Sequence, residues 1–321
     1  MLSIVIPVYN GESYIQRCLD SLLHTDNDWL EVVAVNDGSR DGSSRLLHEY
    51  AEKFPMLRVV DKENGGAAQA RKTGLELARG NYIGFVDIDD YVDADCYHSM
   101  LELAKKNNAD IVMCDHAEVY PSRTRFVQHR FDKGQTFPLT SNEAMSYMHR
   151  RMAYFPFSCN KIYRAELVRA VQFPEKNFVG EDYNMHLQIL HNGARVEYLN
   201  QTGYFYVMTE NSASRGGFGP GAIRAYEHFV EDYEWILKNH PEQKKQATHY
   251  LMIEYMAIII TMSRNDVYDK ALIRQIKKFV RKGLFGFLFA NYVSLTMKAS
   301  AVALTVSYRL LIASYRLINR K

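Results

Sequence analysis

The sequence lacks several features that would place it in a narrow class at once. Among its 321 residues only Cys18, Cys96, Cys114 and Cys159 carry thiols, and no pair has the Cys-x-x-Cys spacing of a zinc or redox site. Reduced cytosolic thiols fit this pattern better than a disulfide framework. The chain also shows no basic segment followed by an apolar stretch and a cleavage site near residue 1, so we expect no signal peptide.

The end of the chain lacks acidic residues. Residues 270–321 contain eleven Lys or Arg and no Asp or Glu, which leaves 28 basic and 37 acidic side chains in the first 269 residues. Residues 284–308 are largely apolar, but their Asn, Lys, Ser and Thr side chains lower the hydropathy below that of a membrane span. We expect amphipathic helices that lie on an anionic membrane surface. A helical bundle or an oligomer interface is the alternative, and nucleic-acid binding is disfavoured because no recognition module accompanies the charge.

Strand-like and helix-like patterns alternate through the first 110 residues. Strand patterns occur at residues 2–8, 30–35, 57–60 and 82–86, and helical patterns at residues 13–23, 42–53 and 67–78. Short connections between alternating elements predict an α/β fold with a doubly wound, mostly parallel sheet flanked by helices. Ligands bind such sheets outside the carboxyl ends of the strands. We therefore expect the polar residues that follow the strands to share one edge: Tyr9, Asn10, Asp37, Asp87 and Asp89.

Residues 111–269 have a less regular pattern. Strands are predicted at 111–114, 126–131, 195–199 and 204–207, and a helix at 141–150. A Gly-rich hinge at residues 216–221 precedes predicted helices at 222–238 and 243–263. The sequence therefore predicts that a helical C-terminal region follows the sheet.

Three carboxylates follow the strand at residues 82–86 within four positions. Asp87, Asp89 and Asp90 would repel one another and shift each other's pKa unless a positive charge lies among them. A divalent cation meets this need, and hard oxygen ligands suit magnesium or manganese. Because magnesium usually completes its shell with substrate phosphates, the pattern predicts a metal that holds a diphosphate. A solvated acidic turn is the alternative.

Two glycine-containing loops follow other predicted strands. In residues 36–42 (NDGSRDG), a sharp turn at the glycine would leave Asp37 free to accept hydrogen bonds from a base or ribose. An Asx turn that caps the next helix is the alternative. Residues 64–71 (NGGAAQAR) open a helix whose N-terminus could bind an anion with help from Arg71. A tightly packed helix start with a solvated Arg71 is the alternative.

Glu181 and Asp182 follow a glycine far along the chain and begin a helical pattern. Asp182 could act as a general base that deprotonates an acceptor hydroxyl. Such a base must stand opposite a leaving diphosphate, so it should come from a different part of the chain than the metal ligands. A plain helix cap is the alternative for Asp182.

Six segments in this order resemble the family 2 inverting glycosyltransferases, whose fold is of the GT-A type. They are PVYN at 7–10, NDGSRDG at 36–42, NGGAAQAR at 64–71, FVDIDD at 85–90, NKIYR at 160–164 and GED at 180–182. The resemblance implies a GT-A domain at residues 1–215, with a nucleotide-binding half at 1–110 and an acceptor-binding half at 111–215. A helical extension at 216–269 and the basic helices at 270–321 would follow.

The resemblance also implies roles for the matching residues. Asp182 would be the catalytic base, with Glu181 beside it orienting the acceptor. Asp89 would ligate a divalent cation, manganese or magnesium, and Asp87 would contact the ribose or the metal-bound diphosphate. The residues placed at the nucleotide-sugar are Pro7, Tyr9, Glu12, Asp37, Gly66, Arg71, Asp87 and Ile88.

The function implied is an inverting hexosyl- or N-acetylhexosaminyltransferase of bacterial polysaccharide assembly. It would transfer a sugar from a nucleotide diphosphate-sugar, in particular a UDP-sugar, to a hydroxyl of a lipid-linked or glycan acceptor at the cytoplasmic face of the membrane. Cys159 stands where many relatives have Trp, so the acceptor side is less well defined. A catalytically inactive membrane partner of other transferases is the alternative. A sugar nucleotidyltransferase is less favoured, because a Gly-rich loop with Arg or Lys does not follow the first strand.

Overall fold

The structure is a computed structural model that describes residues 1–23, 28–127, 136–152, 154–172, 180–208 and 221–318. The chain divides into two compact units. The first comprises residues 1–144, 156–177 and 181–209, and the second comprises residues 145–155, 178–180 and 210–321.

A parallel four-stranded sheet forms the first half of unit 1. Its strands are β1 (Leu2–Val8), β2 (Leu30–Asp37), β3 (Leu57–Lys62) and β4 (Tyr82–Phe85), in the spatial order β3-β2-β1-β4. The connecting helices are α1 (Glu12–Asp20), α2 (Ser43–Lys53) and α3 (Ala67–Leu77). Strands β1 and β2 are almost wholly buried, as the continuous apolar sequence of a sheet covered on both faces predicts. The predicted strand–helix alternation is confirmed here.

The sheet continues with strands of mixed direction. The further elements are β5 (Tyr91–Val92), α4 (Ala94–Asn107), β6 (Ile111–Tyr120), β7 (Arg123–Val127), β8 (Thr136–Leu139), α5 (Ser141–His149), β9 (Lys161–Arg164), α6 (Ala165–Arg169), α7 (Glu181–His191) and β10 (Val196–Val207). Strand β9 lies antiparallel between β4 and β6, and β10 runs parallel to β6. The sheet has ten strands, eight of them in the order β3-β2-β1-β4-β9-β6-β10-β5. Of the other two, β7 pairs with β6 and β8 pairs with β10.

Two predictions in this half need correction. The strands predicted at 195–199 and 204–207 form one strand, β10, because its pairing with β6 continues through register shifts between Leu199 and Tyr204. The strand predicted at 126–131 begins earlier, at Arg123, and residues 128–131 lie outside the described residues. The sequence patterns also gave no sign of α4, β5 or β9.

Unit 2 contains the C-terminal helices. They are α8 (Gly221–Asn239), α9 (Lys244–Arg264), α10 (Lys270–Leu288), α11 (Leu295–Val306) and α12 (Tyr308–Ile318), with a 3-10 turn at Pro241–Gln243 before α9. Helices α8, α10, α11 and α12 all contact α9, which buries ten of its side chains. This packing matches the helical-bundle alternative for the basic tail. The predicted hinge at 216–221 lies outside the described residues except for Gly221.

Glycine permits a close approach of α10 to α9. A Cβ atom on Gly283 would lie 2.7 Å from the sulfur of Met252, which is closer than packed atoms tolerate. Among the described helices, none is both long and apolar enough to span a bilayer.

Candidate active site

The loops after β1 and β2 hold each other by hydrogen bonds. The side-chain oxygen of Asn10 accepts from the backbone N–H of Arg40 at 2.8 Å, and Asn10 itself adopts a positive φ of 50°. The ring of Tyr9 is 49% exposed next to this turn. Tyr9 therefore presents an open aromatic face at the carboxyl edge of the sheet, where a nucleotide base could stack.

Asp37 is buried at the end of β2 and organises the loop before α3. Its carboxylate accepts from Lys62 Nζ at 2.6 Å and from the N–H groups of Gly65 and Gly66 at 2.9 and 2.7 Å. Gly66 has a φ of 89°, which favours glycine, and it directly precedes α3. The predicted base-binding Asp37 and donor-binding Gly66 are thus brought together in one hydrogen-bonded loop.

Arg71 joins three of the predicted site residues into one cluster. From α3, its guanidinium donates to Asp87 Oδ1 at 2.9 Å and to Glu181 Oε1 at 2.6 Å, and it lies 3.8 Å from Asp182 Oδ1. The Arg71 side chain is 10% exposed, whereas those of Asp87 and Asp182 are 36% and 31% exposed. The alternative of a solvated Arg71 is therefore wrong. A buried cation holds carboxylates from two distant segments at a face that a ligand can reach.

Two carboxylates of this cluster, Glu181 and Asp182, have raised pKa values. Burial, and then the neighbouring Asp182 and Asp87, raise the pKa of Glu181 to about 7, although Arg71 opposes the shift. Burial also raises the pKa of Asp182, again against the effect of Arg71. One oxygen of Glu181, Oε2, is buried and has no hydrogen-bond partner among the residues that the structure describes. A carboxylate with a raised pKa is a better proton acceptor than an ordinary exposed one.

Asp182 is oriented by a residue that the sequence patterns did not single out. The N–H and hydroxyl groups of Ser158 both donate to Asp182 Oδ2, at 3.2 and 3.3 Å. These bonds leave Asp182 Oδ1 on the side of Arg71. A serine without a repeating pattern around it gives no signal in a single sequence.

Among the described hydrogen bonds and ion pairs, no Arg or Lys side chain bonds to the carboxylate of Asp89 or Asp90, although Arg17 donates to the Asp89 carbonyl at 2.5 Å and its charge lowers the pKa of Asp89. Burial and the charge of Asp87 raise the pKa of Asp89. The same two causes raise the pKa of Asp90 to about 8, although Tyr204 and the N–H of Val207 donate to it. Of these three close carboxylates only Asp87 bonds to Arg71, and the group fits a divalent cation, since hard oxygens are the ligands of magnesium and manganese.

The described residues contain no cluster of three or more His, Cys, Asp or Glu side chains arranged to hold a metal by themselves. One or two carboxylates completed by substrate phosphates is the arrangement that magnesium often takes in proteins. The residues that would hold the cation are Asp87 and Asp89.

Three predicted donor residues have structural contacts of their own. The Glu12 carboxylate accepts from the N–H of Gly42 at 2.9 Å and so ties the start of α1 to the start of α2. Ile88 is buried, and a Cβ atom on Gly11 would lie 3.1 Å from it. Pro7 is half-buried within β1, opposite Val35 of β2. The structure does not bring Glu12, Ile88 or Pro7 into the Arg71 cluster, and their contact with a nucleotide stays a prediction.

Lys161, in the NKIYR segment, is buried and lies near enough to Asp182 for the two charges to interact. Lys161 in β9 donates to the Phe157 carbonyl at 2.9 Å and to Asn160 Oδ1 at 2.8 Å, and burial lowers its pKa to about 8. His186 on α7 contacts the Tyr163 hydroxyl at 3.0 Å and the Asp182 carbonyl at 2.7 Å. His186 is fully buried, as a packing residue is.

The sequence comparison defines the family. The profile described as glycosyl transferase family 2 matches residues 3–171, which is more than half of the chain. The chain therefore belongs to glycosyl transferase family 2, and the resemblance found in the six segments is confirmed.

Individual relatives agree with this assignment. The uncharacterized glycosyltransferase EpsJ of Bacillus subtilis (strain 168) is 31% identical over 237 residues, which cover 73% of this chain and 68% of EpsJ. The glycosyltransferase GlyA of Streptococcus pneumoniae serotype 4 (strain ATCC BAA-334 / TIGR4) is 30% identical over 219 residues. That match covers 67% of this chain but 31% of GlyA.

Solved structures agree on the fold. S. aureus TarS 1-349 in complex with UDP-GlcNAc superposes with a TM-score of 0.70 at 21% identity, covering 98% of this chain and 91% of that one. The mannosyltransferase PcManGT from Pyrobaculum calidifontis, in complex with GDP-Man and Mn²⁺, gives a TM-score of 0.55 at 19% identity over 100% and 88% of the chains. The predicted GT-A type α/β fold with a helical C-terminal region is confirmed.

Proposed function

We propose that this glycosyltransferase is an inverting enzyme that transfers a hexosyl or N-acetylhexosaminyl group from a UDP-sugar to an acceptor hydroxyl. The observation that carries the proposal is the Arg71 cluster. Arg71 lies between Asp87, which follows β4, and Asp182 at the start of α7. A base and a leaving diphosphate must flank the sugar in an inverting displacement, and this arrangement supports those two roles.

Asp182 is proposed as the general base. As the acceptor oxygen attacks the anomeric carbon, Asp182 takes the hydroxyl proton, the new C–O bond forms and the bond from the anomeric carbon to the phosphate oxygen breaks. The electron pair of that bond leaves with UDP, and the anomeric configuration inverts because the acceptor oxygen attacks from the face opposite the leaving diphosphate. Glu181 is proposed to orient the acceptor, and Ser158 to hold Asp182 in place.

Asp87 and Asp89 are proposed to hold a divalent cation, magnesium or manganese. When bound, such a cation stabilises the negative charge that develops on the departing diphosphate. The donor set supports this assignment, because burial and Asp87 raise the pKa of Asp89 although Arg17 opposes the shift, and the one described arginine bond to Asp89 goes to its backbone carbonyl and not to its carboxylate. PcManGT is described with Mn²⁺, which supports a metal in the same fold.

The remaining predicted donor residues are proposed to bind the nucleotide. Tyr9 would stack on the base, and Asp37 would meet it at the end of β2. TarS is described with UDP-GlcNAc, which supports a UDP-sugar here. For that role Asp37 would exchange part of its present hydrogen bonding to the loop before α3.

The acceptor is proposed to be a lipid-linked or glycan hydroxyl, with the enzyme held peripherally at the cytoplasmic face of a membrane. Residues 1–215 would form the catalytic domain, with donor binding in residues 1–110 and acceptor binding in residues 111–215. Residues 216–269 would form a helical extension, and residues 270–321 the membrane-associating part.

An Asp182→Asn variant tests the proposal. We expect turnover, measured as UDP release from UDP-sugars with and without acceptor glycans, to fall by about 10²–10⁴-fold because the base is lost. Donor affinity should change little, because Asn preserves the size and the hydrogen bonds of the side chain. Asp95→Asn, an exposed carboxylate on α4, is the matched control. Lost donor affinity with retained turnover would refute the assignment of Asp182 as the base.

A further inference from the structure

Helix α10 has one face that the packing of unit 2 leaves open. Its buried side chains include Leu272, Ile276 and Val280, which face the contact with α9. Beside α10 lies a groove of about 680 Å³ lined by the buried Ile273 and by six cationic side chains, Lys270, Arg274, Lys277, Lys278, Arg281 and Lys282. Tyr268 and Tyr308, whose rings lie 5.6 Å apart, also line the groove. No carboxylate is among the described residues that line it.

The cations of the groove differ in the contacts that they make. Lys277 donates to the Val306 carbonyl at 3.0 Å and Arg281 donates to the Thr305 carbonyl at 2.7 Å, so both hold the C-terminal end of α11. Arg274, Lys278 and Lys282 are exposed and make no hydrogen bond or ion pair within the described part of the chain. Three like charges held close on one helix face repel one another, so that face favours an anionic partner.

Two phenylalanines continue the same face. Residues four apart on a helix lie above one another, so Phe285 follows Arg281 and Phe289 follows Phe285 along one side of α10. Their side chains are 77% and 75% exposed, and their ring centroids lie 4.8 Å apart. Fully solvated phenylalanine pairs are unfavourable, because their apolar surface is hydrated. A purely solvated basic helix face would not require them.

Other exposed apolar side chains belong to the same group of helices. Of the twelve large apolar side chains that are exposed among the described residues, eight lie between Val267 and Leu310. They include Leu295 at 83% and Val306 at 64% exposure. Basic residues beside exposed aromatic and aliphatic residues are typical of helices that lie in the interface of an anionic bilayer.

We propose that the basic groove of α10 binds the phosphate headgroups of anionic phospholipids, while Phe285 and Phe289 insert among the acyl chains beside them. The six cations supply the charge complementarity, and the two rings explain why the partner is a membrane and not a soluble phosphate. The inference deepens the peripheral location given under the proposed function, but it rests on the helices of unit 2 and not on the transfer reaction.

Sedimentation of the full chain with vesicles tests the proposal. We expect binding to phosphatidylcholine vesicles that contain a third of phosphatidylglycerol, and little binding to phosphatidylcholine alone. Removing three charges with Arg274→Gln, Lys278→Gln and Lys282→Gln together should weaken partitioning by about 100-fold, since each charge near an anionic surface contributes about fivefold. High salt should also weaken the binding of the wild-type chain to the anionic vesicles.

A matched control removes three exposed lysines of unit 1 by Lys53→Gln, Lys105→Gln and Lys106→Gln. This control should bind vesicles as the wild type does, because the net charge changes equally but the groove stays intact. Phe285→Ser with Phe289→Ser should also weaken binding while leaving the charge unchanged. Point substitutions are preferred to truncation, because deleting α10 would expose the apolar surface of α9. Circular dichroism verifies that each variant is folded.

Several outcomes would overturn the proposal. Equal vesicle binding by the triple groove variant and the unit 1 control would show that the groove is not the site. If inorganic pyrophosphate released the wild-type chain from sedimented vesicles as effectively as added anionic vesicles do, the ligand would be a soluble phosphate. A dimer in light scattering that the Phe285→Ser, Phe289→Ser variant dissociates would identify the face as an interface between copies. UDP-sugar binding measured on the same variants should be unchanged, so failure of the groove and failure of the proposed transfer are separable.

Discussion

Replacing Arg71 by methionine should change the pH dependence of turnover as well as its size. Arg71 lies 2.9 Å from Asp87, 2.6 Å from Glu181 and 3.8 Å from Asp182, and its positive charge lowers the pKa of both Glu181 and Asp182. An opposite charge at about 4 Å typically lowers a carboxylate pKa by about 1–3 units. Without Arg71, Asp182 should therefore hold its proton to a higher pH.

The consequence for turnover follows from the sign of this shift. A base must be deprotonated to act, so each unit by which its pKa exceeds the assay pH lowers the active fraction about tenfold. At neutral pH we expect turnover of Arg71→Met to fall, by up to about tenfold for each unit by which the pKa of Asp182 rises, and the loss should shrink as the pH rises. Arg71→Lys, which retains a charge, should lie between the two.

The assay is UDP release from the preferred donor across a pH series, with donor affinity measured in parallel. Arg58→Met is the matched control, because Arg58 bonds to the Leu77 carbonyl at the other end of α3 and has no carboxylate partner among the described contacts. Thermal unfolding of Arg71→Met should show a loss of stability, because buried carboxylates lose their counter-charge. A loss of turnover that is equal at every pH would refute the argument that Arg71 tunes the base.

Three further predictions concern the same site. Asp89→Ala should weaken donor binding in the presence of manganese and have little effect with a chelator, and an unchanged affinity in manganese would remove Asp89 from the metal site. The raised pKa of Glu181 leaves its carboxyl protonated below about pH 7, so wild-type turnover should fall there. In Glu181→Gln that fall should be smaller, and initial rates across a pH series measure it. The same variant should flatten the loss of stability between about pH 4.5 and 7, since a carboxyl with a raised folded-state pKa destabilises the fold as it ionises with rising pH. Asp37→Ala should lower donor affinity and melting temperature together, because Lys62 and the N–H groups of Gly65 and Gly66 lose their acceptor; an unchanged affinity would exclude Asp37 from the nucleotide site.

The parallel first half of unit 1 was predictable because its strands are buried on both faces. Continuous apolar sequence in β1 and β2 gives a strong local signal, and the glycines of the following loops mark where each strand ends. The topology then brings Asp37 and Asp87 to one edge, although they are far apart in sequence. This part of the site follows from general rules for parallel sheets.

The second half was harder to predict for physical reasons. The segment Asn200–Gly203 is polar and glycine-containing, so it suggests a break, but pairing with β6 carries β10 through it. Strand β9 has a charged residue at each end, which local patterns do not expect in a central strand. Lys161 is buried with amide and carbonyl partners, and Arg164 binds Asp110. Tertiary contacts of this kind override the local pattern.

The connections within the site were also beyond single-sequence reasoning. Nothing in the order of residues reveals that Arg71 contacts both Asp87 and Glu181, or that Ser158 donates to Asp182. These contacts depend on the placement of α3 and α7 at the same sheet edge. Long-range hydrogen bonds leave no periodic signal, whereas strand ends and helix starts do.

The central claim is that a nucleotide diphosphate-sugar binds at Asp87 and Asp89 with the help of a divalent cation. Calorimetric titration of a panel of UDP- and GDP-sugars, first with manganese and then with a chelator, tests this most directly. We expect a UDP-sugar to bind in the presence of manganese, and a chelator to remove most of its affinity. Failure of every nucleotide-sugar to bind the folded protein in manganese, or binding that chelation leaves unchanged, would contradict it.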